Sequence, residues 1–202
     1  QLERAELLIN ELFIHQLFID KTRNVWKVTS HKILESLSYR VISPILKSVL
    51  LKHIINECGF DVEIIFVPEK IMLRILCDED FAIVFDPITG ESLSWHDLDA
   101  RLEGEETTAN GDFMKFFETK ELIQKYVSSL KNALIYEQDF GLALKCVDLL
   151  LAMCPDDPFE RRDRGFLLHQ LDCFKVAYDD YRYFVEQCPQ DPAAQLLKLQ
   201  LD

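Results

Sequence analysis

Polar and apolar residues follow two different periods along this chain, and the change of period divides the sequence. Apolar residues recur every three to four positions in LERAELLINELFIHQLFI, residues 2–19, which predicts an amphipathic helix. A second helix is predicted over TSHKILESLSY, residues 29–39, with Thr29 or Ser30 as its N-cap. The N-terminal part of the chain is therefore expected to be helical.

The clearest helix signal lies in SPILKSVLLKHIINECGF, residues 43–60. Ser43 can cap this helix, Pro44 suits its first turn, and Gly59 stands where a helix stops. The 3–4 spacing assigns five residues to one side of this helix: Leu46, Val49, Leu50, His53 and Ile54.

The period changes after this helix. The stretches DVEIIFVPE, KIMLRILCDED and FAIVFDPITGE fill residues 61–91 and are short, rich in β-forming residues and bounded by charged or turn residues. They predict three neighbouring strands in an antiparallel meander. The following SLSWHDLDARLEG, residues 92–104, predicts a short helix that begins at Ser92 or Ser94.

A polar, turn-rich stretch that begins EGEETTANGD predicts a linker over residues 103–117. From Lys120 onward the apolar residues keep a helical period. The expected fold class is α+β over residues 1–102, with helices and a small antiparallel sheet, followed by an all-α domain over residues 118–202.

The all-α part contains an internal repeat. CPDDP at residues 154–158 returns as CPQDP at residues 188–192, an interval of 34 residues. This is the period of the tetratricopeptide repeat, which has two helices per unit. The sequence predicts repeats at about 124–157 and 158–191 and a capping helix over 192–202. Other pairs share the interval: Phe140 with Phe174, Ala143 with Ala177, and Leu150 with Phe184.

Charge is distributed unevenly along the chain. The formal net charge is −13, yet residues 1–60 carry eight Lys or Arg and six Asp or Glu. Such an acidic chain disfavours nonspecific binding to nucleic acid or to an anionic membrane. The apolar stretch of residues 5–19 is interrupted by polar residues and has no signal-cleavage pattern. We therefore expect a cytoplasmic protein with neither of these partners.

The repeated pentapeptides raise the question of a metal site. The candidate ligands are Cys154 and Asp156 in the first pentapeptide and Cys188 and Asp191 in the second. Equivalent residues of neighbouring repeats are separated by about 10 Å, a typical helix-packing distance. This separation is too large for shared ligation of one ion. We predict packed thiols here, with no metal and no cofactor.

A catalytic thiol would need a histidine within reach. His53 precedes Cys58 by five residues, which places it about 140° away around the helix. Cys77 falls in a predicted strand. The chain has no GxSxG, P-loop, HExxH or GxGxxG motif. Structural thiols are therefore favoured over a catalytic one.

The charge-dense segment ERRDRGFLLHQL, residues 160–171, begins the second predicted repeat. Gly165 stands where the first helix of a repeat needs a small residue. The arginines could bind an acidic partner or form ion pairs within the domain, and the second interpretation is favoured. Arg162, Phe166 and His169 recur every three to four residues and form the predicted binding face.

Three stretches carry a resemblance to a known family: SPILKSVLLKHIINECGFDVEIIFVPEKIMLRI, FDPITGESLSWHDL and CPDDPFERRDRGFLLHQLDCFKVAYDDYRYFVEQCPQDP. Over roughly residues 30–202 the chain resembles the SirB-type family of bacterial proteins, which are transglutaminase-like at the front and tetratricopeptide at the back. The resemblance implies a papain-like domain, in which a helix packs on an antiparallel sheet.

The resemblance also implies where a catalytic triad would lie. Transglutaminase-like enzymes attack with a cysteine at the start of that helix, a histidine activates it, and an aspartate orients the histidine. The corresponding positions here are Pro44, Lys70 and Asp86, so only the aspartate remains. Pro68-Glu69-Lys70 stands where family members usually keep Pro-Gly-His. The simplest expectation is an ion pair between Lys70 and Asp86 in a vestigial cleft.

Three functions stay open at this point. The first is a catalytically inactive transglutaminase-like protein that binds another protein through the repeat face or the old cleft. The second is an amidase, peptidase or acyl-transferase with displaced catalytic residues. The third is a small-molecule sensor that uses the cleft residues Arg40, Lys70, Arg74 and Asp86.

Overall fold

A computed structural model describes most of the chain. The described residues are 1–14, 18, 25–67, 70–77, 82–93, 115–116 and 118–201. The chain divides into two compact units, Gln1–Leu122 and Ile123–Asp202. This division falls inside a helix, Thr119–Tyr136, whereas the sequence placed the start of the second domain at residue 118.

The first unit begins with helices. These are α1 (Leu2–Ile14), a 3₁₀ turn (Val28–His31), α2 (Ile33–Tyr39) and α3 (Pro44–Glu57). The predicted first helix runs beyond α1 into residues outside the described part of the chain. Neither Thr29 nor Ser30 caps α2, whose N-cap is Lys32. Ser30 Oγ instead donates to Lys27 O at 2.6 Å inside the 3₁₀ turn, so its hydroxyl is already committed.

Helix α3 has the predicted bounds but buries a different side. Ser43 is its N-cap, Pro44 lies in its first turn, and Gly59 follows its end with a φ of 84°. Val49 and His53 of the predicted side are exposed. The buried side contains two polar residues, Lys47 and Ser48, so the neighbouring side of the helix looks more apolar in the sequence. The buried side consists of Ile45, Lys47, Ser48, Leu51 and Ile55.

A five-stranded antiparallel sheet follows α3, in the spatial order β4-β3-β2-β1-β5. Its central strands confirm the predicted meander. Ser92 does not begin the predicted short helix, because Ser92 and Leu93 pair with β3. The alternative start at Ser94 and the rest of that helix lie outside the described residues. Lys115 and Phe116, at the end of the predicted linker, pair with β1. Strands of two residues are too short to show a period in sequence. The bounds are β1 (Asp61–Val67), β2 (Lys70–Leu76), β3 (Ala82–Phe85), β4 (Ser92–Leu93) and β5 (Lys115–Phe116).

Helices α1 and α3 pack against one face of the sheet. Ile55 of α3 is fully buried against Leu73 and Phe85 of the sheet. Phe13 of α1 meets the Phe85 ring edge-on, with ring centroids 6.2 Å apart. Met72 belongs to a smaller apolar cluster that includes Ile65 and Val84 of the neighbouring strands. Because buried residues occur at adjacent strand positions, the strands look like apolar runs rather than alternating patterns.

The chain from residue 119 onward is helical. Its helices are α4 (Thr119–Tyr136), α5 (Phe140–Met153), α6 (Pro158–Gln170), α7 (Phe174–Gln187) and α8 (Pro192–Leu201). Helices α5 and α7 begin 34 residues apart, and so do α6 and α8. Asp157 caps α6 by accepting hydrogen bonds from two backbone N–H groups. Asp191 accepts one from the backbone N–H of Ala193 at 2.7 Å. The repeated pentapeptides therefore end one helix and begin the next.

Candidate functional site

Lys70 and Asp86, which the resemblance assigns to two of the three triad positions, meet at one end of the sheet. Lys70 begins β2 and Asp86 follows β3, and the antiparallel pairing brings these ends together. Nζ of Lys70 lies 3.6 Å from Oδ2 of Asp86. The lysine side chain is 52% exposed, so solvent screens the pair and limits its contribution to stability to at most about 1 kcal/mol.

The carboxylate of Asp86 also shapes the turn after β3. Its Oδ1 accepts hydrogen bonds from the backbone N–H of Ile88 at 2.7 Å and of Thr89 at 3.4 Å. The N–H of Gly90 donates to the backbone oxygen of Asp86 at 2.8 Å. These bonds give the aspartate a structural role that needs no catalytic partner.

Helix α3 contributes a buried lysine that sequence reasoning missed. Lys47 lies one turn after Ser43 and is 3% exposed. Its Nζ donates to Ile88 O at 3.3 Å and lies 4.8 Å from the centroid of the Phe13 ring. The start of α3, where the resemblance places the nucleophile position at Pro44, therefore lies against the turn that follows β3. A lysine and a serine inside the mostly apolar PILKSVLL were the available signal.

Several more polar side chains are buried near the start of α3. The Oγ atom of Ser43 is buried without a hydrogen-bond partner, while its backbone N–H donates to Ser30 O at 2.8 Å. Nδ1 of His31 lies 3.0 Å from Lys27 O, so the imidazole is turned to a backbone carbonyl. At most 3% of each of the following is exposed, and we call them the buried polar cluster: Ser30, His31, Ser36, Ser43, Lys47 and Ser48.

The other two residues of the predicted sensor cleft have different surroundings. Arg74 lies four residues along β2 from Lys70, and its Nε is 2.9 Å from Oε2 of Glu63 on β1. The strand register places Glu63 directly opposite Arg74. Arg40 follows α2 as its C-cap. The structure thus brings Lys70 and Asp86 together but joins Arg74 to a neighbouring strand.

The predicted binding face on α6 is partly covered by aromatic rings. Arg162, Phe166 and His169 all lie on this helix. Phe166 remains 40% exposed, and Arg162 donates to Asp163 Oδ1 at 2.8 and 3.0 Å. The ring contacts are Arg162 with Phe159 and Phe184, Phe166 with Phe140, and His169 with Phe174.

The other arginines of this segment form ion pairs within the second unit. Asp180 of α7 is 1% exposed and accepts two hydrogen bonds from Arg164 at 2.7 Å and one from Arg161 at 3.3 Å. The hydrogen bonds to Asp180 raise the pKa of Arg164. These contacts match the interpretation of the segment as a source of ion pairs inside the domain.

A second buried ion group joins α4 to α6. Nζ of Lys131, 3% exposed, lies 2.8 Å from Oε1 of Glu160 and 2.6 Å from Oδ2 of Asp163. Burial raises the pKa of Glu160, even though the hydrogen bond and charge of Lys131 act to lower it. Desolvation therefore outweighs the attraction of the lysine at this carboxylate.

Neither a metal cluster nor a membrane-spanning helix is found among the described residues. No group of three or more His, Cys, Asp or Glu there could hold a metal ion, and no helix there is long and apolar enough to cross a bilayer. The sulfur of Cys154 accepts a hydrogen bond from Nε2 of Gln124 at 3.0 Å. This cysteine thus has a packing role in the repeats.

Comparisons with known proteins agree with this architecture. A family profile for the transglutaminase-like superfamily matches residues 1–128, and one for the tetratricopeptide repeat matches residues 130–202. They confirm the α+β front and the repeat tail. No solved structure matches the chain.

Three curated relatives are bacterial proteins. A UPF0162 protein of Vibrio cholerae is 37% identical over 79% of this chain and 60% of its own length. The UPF0162 protein YchA of Escherichia coli K12 is 33% identical over 99% of the chain and 76% of its own length. Protein SirB1 of Salmonella typhimurium is 32% identical with the same coverage. The chain therefore spans only part of the length of each relative.

Proposed function

We propose that this chain, which belongs to the bacterial UPF0162 family of transglutaminase-like proteins that includes SirB1, is a catalytically inactive member that binds another protein in the cytoplasm. The observation that carries the proposal is the ion pair between Lys70 and Asp86. A lysine paired with a carboxylate is a charged donor and does not act as the base of a triad. Pro44, at the nucleophile position, has no side-chain atom that could attack.

The cysteines support the same proposal. Cys58 follows the C-terminal end of α3, and 14 residues of helix separate it from Pro44 by about 20 Å. Cys77 is 2% exposed, and its sulfur lies 3.9 Å from the backbone oxygen of Ile75. Neither sulfur lies at the start of α3, where the triad places its nucleophile.

The rate of alkylation of each cysteine tests the inactive state. Mass spectrometry after timed exposure to iodoacetamide at neutral pH should show Cys58 and Cys173, which are exposed, reacting at the rate of an ordinary thiol. Cys146 should react more slowly, because burial raises the pKa of its thiol. A cysteine that reacts about tenfold faster than a free thiol would contradict the proposal, because activated thiols have a depressed pKa.

The repeat face provides the test for partner binding. Phe166→Ala removes a half-exposed ring from the predicted face, and Leu149→Ala is the control, because Leu149 of α5 is similarly exposed, at 48%, and is neither a face residue nor one of their ring partners. Affinity purification from bacterial lysate should recover a protein that the control retains and Phe166→Ala loses. Equal recovery by the two variants would argue against binding through this face.

A further inference from the structure

Helix α8 follows α7 in the same way as α6 follows α5. Three backbone hydrogen bonds around CPDDP recur around CPQDP, each with the same spacing between donor and acceptor along the chain. Helix α8 also packs on α7, as expected for the next step of a 34-residue repeat. The N–H donors are Cys154, Asp157 and Arg161 in the first connection and Cys188, Asp191 and Gln195 in the second.

Helix α7 covers one side of α6. Arg164 of α6 donates two hydrogen bonds to Asp180 of α7, each at 2.7 Å. Gly165 lies so close to α7 that a Cβ atom there would be 2.8 Å from ring atoms of Tyr181. These contacts show what the repeat places against this side of the helix that begins each interval, namely a second helix.

The corresponding side of α8 opens onto a groove between α7 and α8, with a volume of about 650 Å³. Lys198 and Leu199 line this groove and lie 34 residues after Arg164 and Gly165. Leu199 is 77% exposed, and Lys198 is exposed and has no ion pair within the described part of the chain. The groove thus presents to solvent two positions that a helix covers in the preceding repeat. Its apolar lining comes from Val185, Pro189, Ala194 and Leu199.

The differences between α6 and α8 define the helix that would fit the groove. Leu199 stands in place of Gly165, so a fitting helix needs a small residue where α7 has Tyr181. Lys198 keeps a cation at the position of an arginine whose partner is Asp180, so the fitting helix needs a carboxylate there. Shape and charge therefore both select the occupant.

Two further observations restrict the occupant. Glu186 also lines the groove, but its equivalent, Ala152, is exposed in the preceding repeat, so this acid can remain in water. Helix α7 of a second copy cannot supply the carboxylate, because Asp180 is 1% exposed and already pairs with Arg161 and Arg164. The occupant is therefore a helix from a different protein.

We propose that the groove between α7 and α8 docks an amphipathic helix of another protein, with a carboxylate opposite Lys198 and a small residue opposite Leu199. The apolar lining supplies the affinity of this helix-in-groove contact, and the ion pair fixes the register of the helix. The groove is separate from the repeat face of α6, and neither surface requires the other. Failure of binding at the groove would leave the Phe166→Ala test and the inactive state unaffected.

Three fluorescein-labelled peptides derived from α7 test the proposal on the full chain. The first has the sequence of Phe174–Gln187 with Tyr181→Ala, the second is unchanged, and the third carries Tyr181→Ala with Asp180→Lys. Each is cross-linked between solvent-facing positions, because an isolated helix of this length is marginal in water. Fluorescence anisotropy should show the first peptide binding about tenfold more tightly than either of the others, since overpacking or a lost ion pair each costs about that factor.

Variants of α8 locate the binding and separate shape from charge. Leu199→Ala should weaken the first peptide and strengthen the unchanged one, so that their affinity ratio falls about tenfold. Lys198→Gln should abolish the preference for aspartate over lysine at position 180 of the peptide. Leu142→Ala on α5 and Lys175→Gln on α7 are the matched controls, because both residues are exposed. Circular dichroism should be the same for all these proteins.

Four results would overturn the assignment. The first peptide could fail to bind at concentrations up to about 1 mM, the weak end of specific association. The peptide preferences could stay the same in Leu199→Ala and Lys198→Gln. Sedimentation could show self-association that Leu199→Ala abolishes, which would make a second copy the occupant. Lipid vesicles could bind the chain and lose it on Leu199→Ala, which would make a membrane the occupant.

Discussion

Gly165 of α6 lies where a larger residue has no room. A Cβ atom at this position would lie 2.8 Å from Cδ1 and Cε1 of Tyr181 and 3.1 Å from the backbone oxygen of Ala177, both on α7. Tyr181 is 8% exposed and Ala177 is fully buried. Neither can withdraw without disturbing the packing of α6 on α7. The change Gly165→Ala should therefore destabilise the second unit.

The expected magnitude follows from two opposing effects. Overpacking a close contact costs about 1–3 kcal/mol, and alanine gains up to about 1 kcal/mol over glycine in a helix. The net loss of stability should be about 1 kcal/mol. Gly141→Ala in α5 is the matched control, because its nearest neighbouring atom is Asp139 Oδ1 at 4.0 Å. The difference between the two variants, about 1–3 kcal/mol, isolates the steric cost.

Native-state hydrogen exchange of the amides of α6 and α7 measures this difference. A single melting curve is less suitable, because a chain with two units need not unfold in one step. In a Tyr181→Ala background, the cost of Gly165→Ala should shrink, since the ring atoms that a Cβ meets are gone. Exchange that shows Gly165→Ala to be as stable as Gly141→Ala would refute the close approach of the two helices.

Three further changes test other parts of the structure. Asp180→Ala should cost up to about 4 kcal/mol in chemical denaturation, because two arginines lose a buried partner, whereas the neighbouring exposed Asp179→Ala should cost little. Folding raises the pKa of Glu160, so its contribution to stability is greatest below the ordinary carboxyl pKa and is lost as the pH rises through the raised value. As the pH rises from the ordinary carboxyl pKa to the raised pKa of Glu160, the unmodified chain should therefore lose stability relative to Glu160→Gln. A gain of stability over the same pH range would mean that the ion pair between Glu160 and Lys131 dominates. Gly90→Ala should lower the melting temperature of the first unit more than Gly59→Ala. Both positions have positive φ, but a Cβ at Gly90 would come within 2.5 Å of an aromatic ring and one at Gly59 would meet nothing within 4 Å.

The repeat tail was predictable because one period governs its sequence and its packing. Each 34-residue step places an alanine, Ala143 and then Ala177, at a fully buried position. Which side of α3 is buried could not be predicted in this way. Its buried stripe includes Lys47, whose amine is satisfied by the carbonyl of Ile88, 41 residues away in sequence. A contact between residues so far apart in sequence cannot be predicted from a local pattern of apolar residues.

The candidate site was also predictable only in part. The meeting of Lys70 and Asp86 could be expected from the resemblance, which assigns both residues to positions of a triad. The polarity of α2 could not, because Ile33, Leu34 and Leu37 have the spacing of an ordinary core-facing stripe. Only the fold shows that this stripe is exposed and that Ser36 lies inside. Local patterning identifies an apolar side of a helix, and tertiary structure decides what that side covers.

The buried amine of Lys131 restricts how this protein can change during evolution. Loss of the lysine would leave Glu160 and Asp163, which are 14% and 19% exposed, as neighbouring carboxylates with only Arg162 beside Asp163, and loss of either acid would weaken the compensation of a cation that is 3% exposed. An apolar residue at position 131 becomes acceptable only when both acids change with it. A single substitution at one of these positions should give a less stable protein. We therefore expect Lys131, Glu160 and Asp163 to be kept or exchanged together.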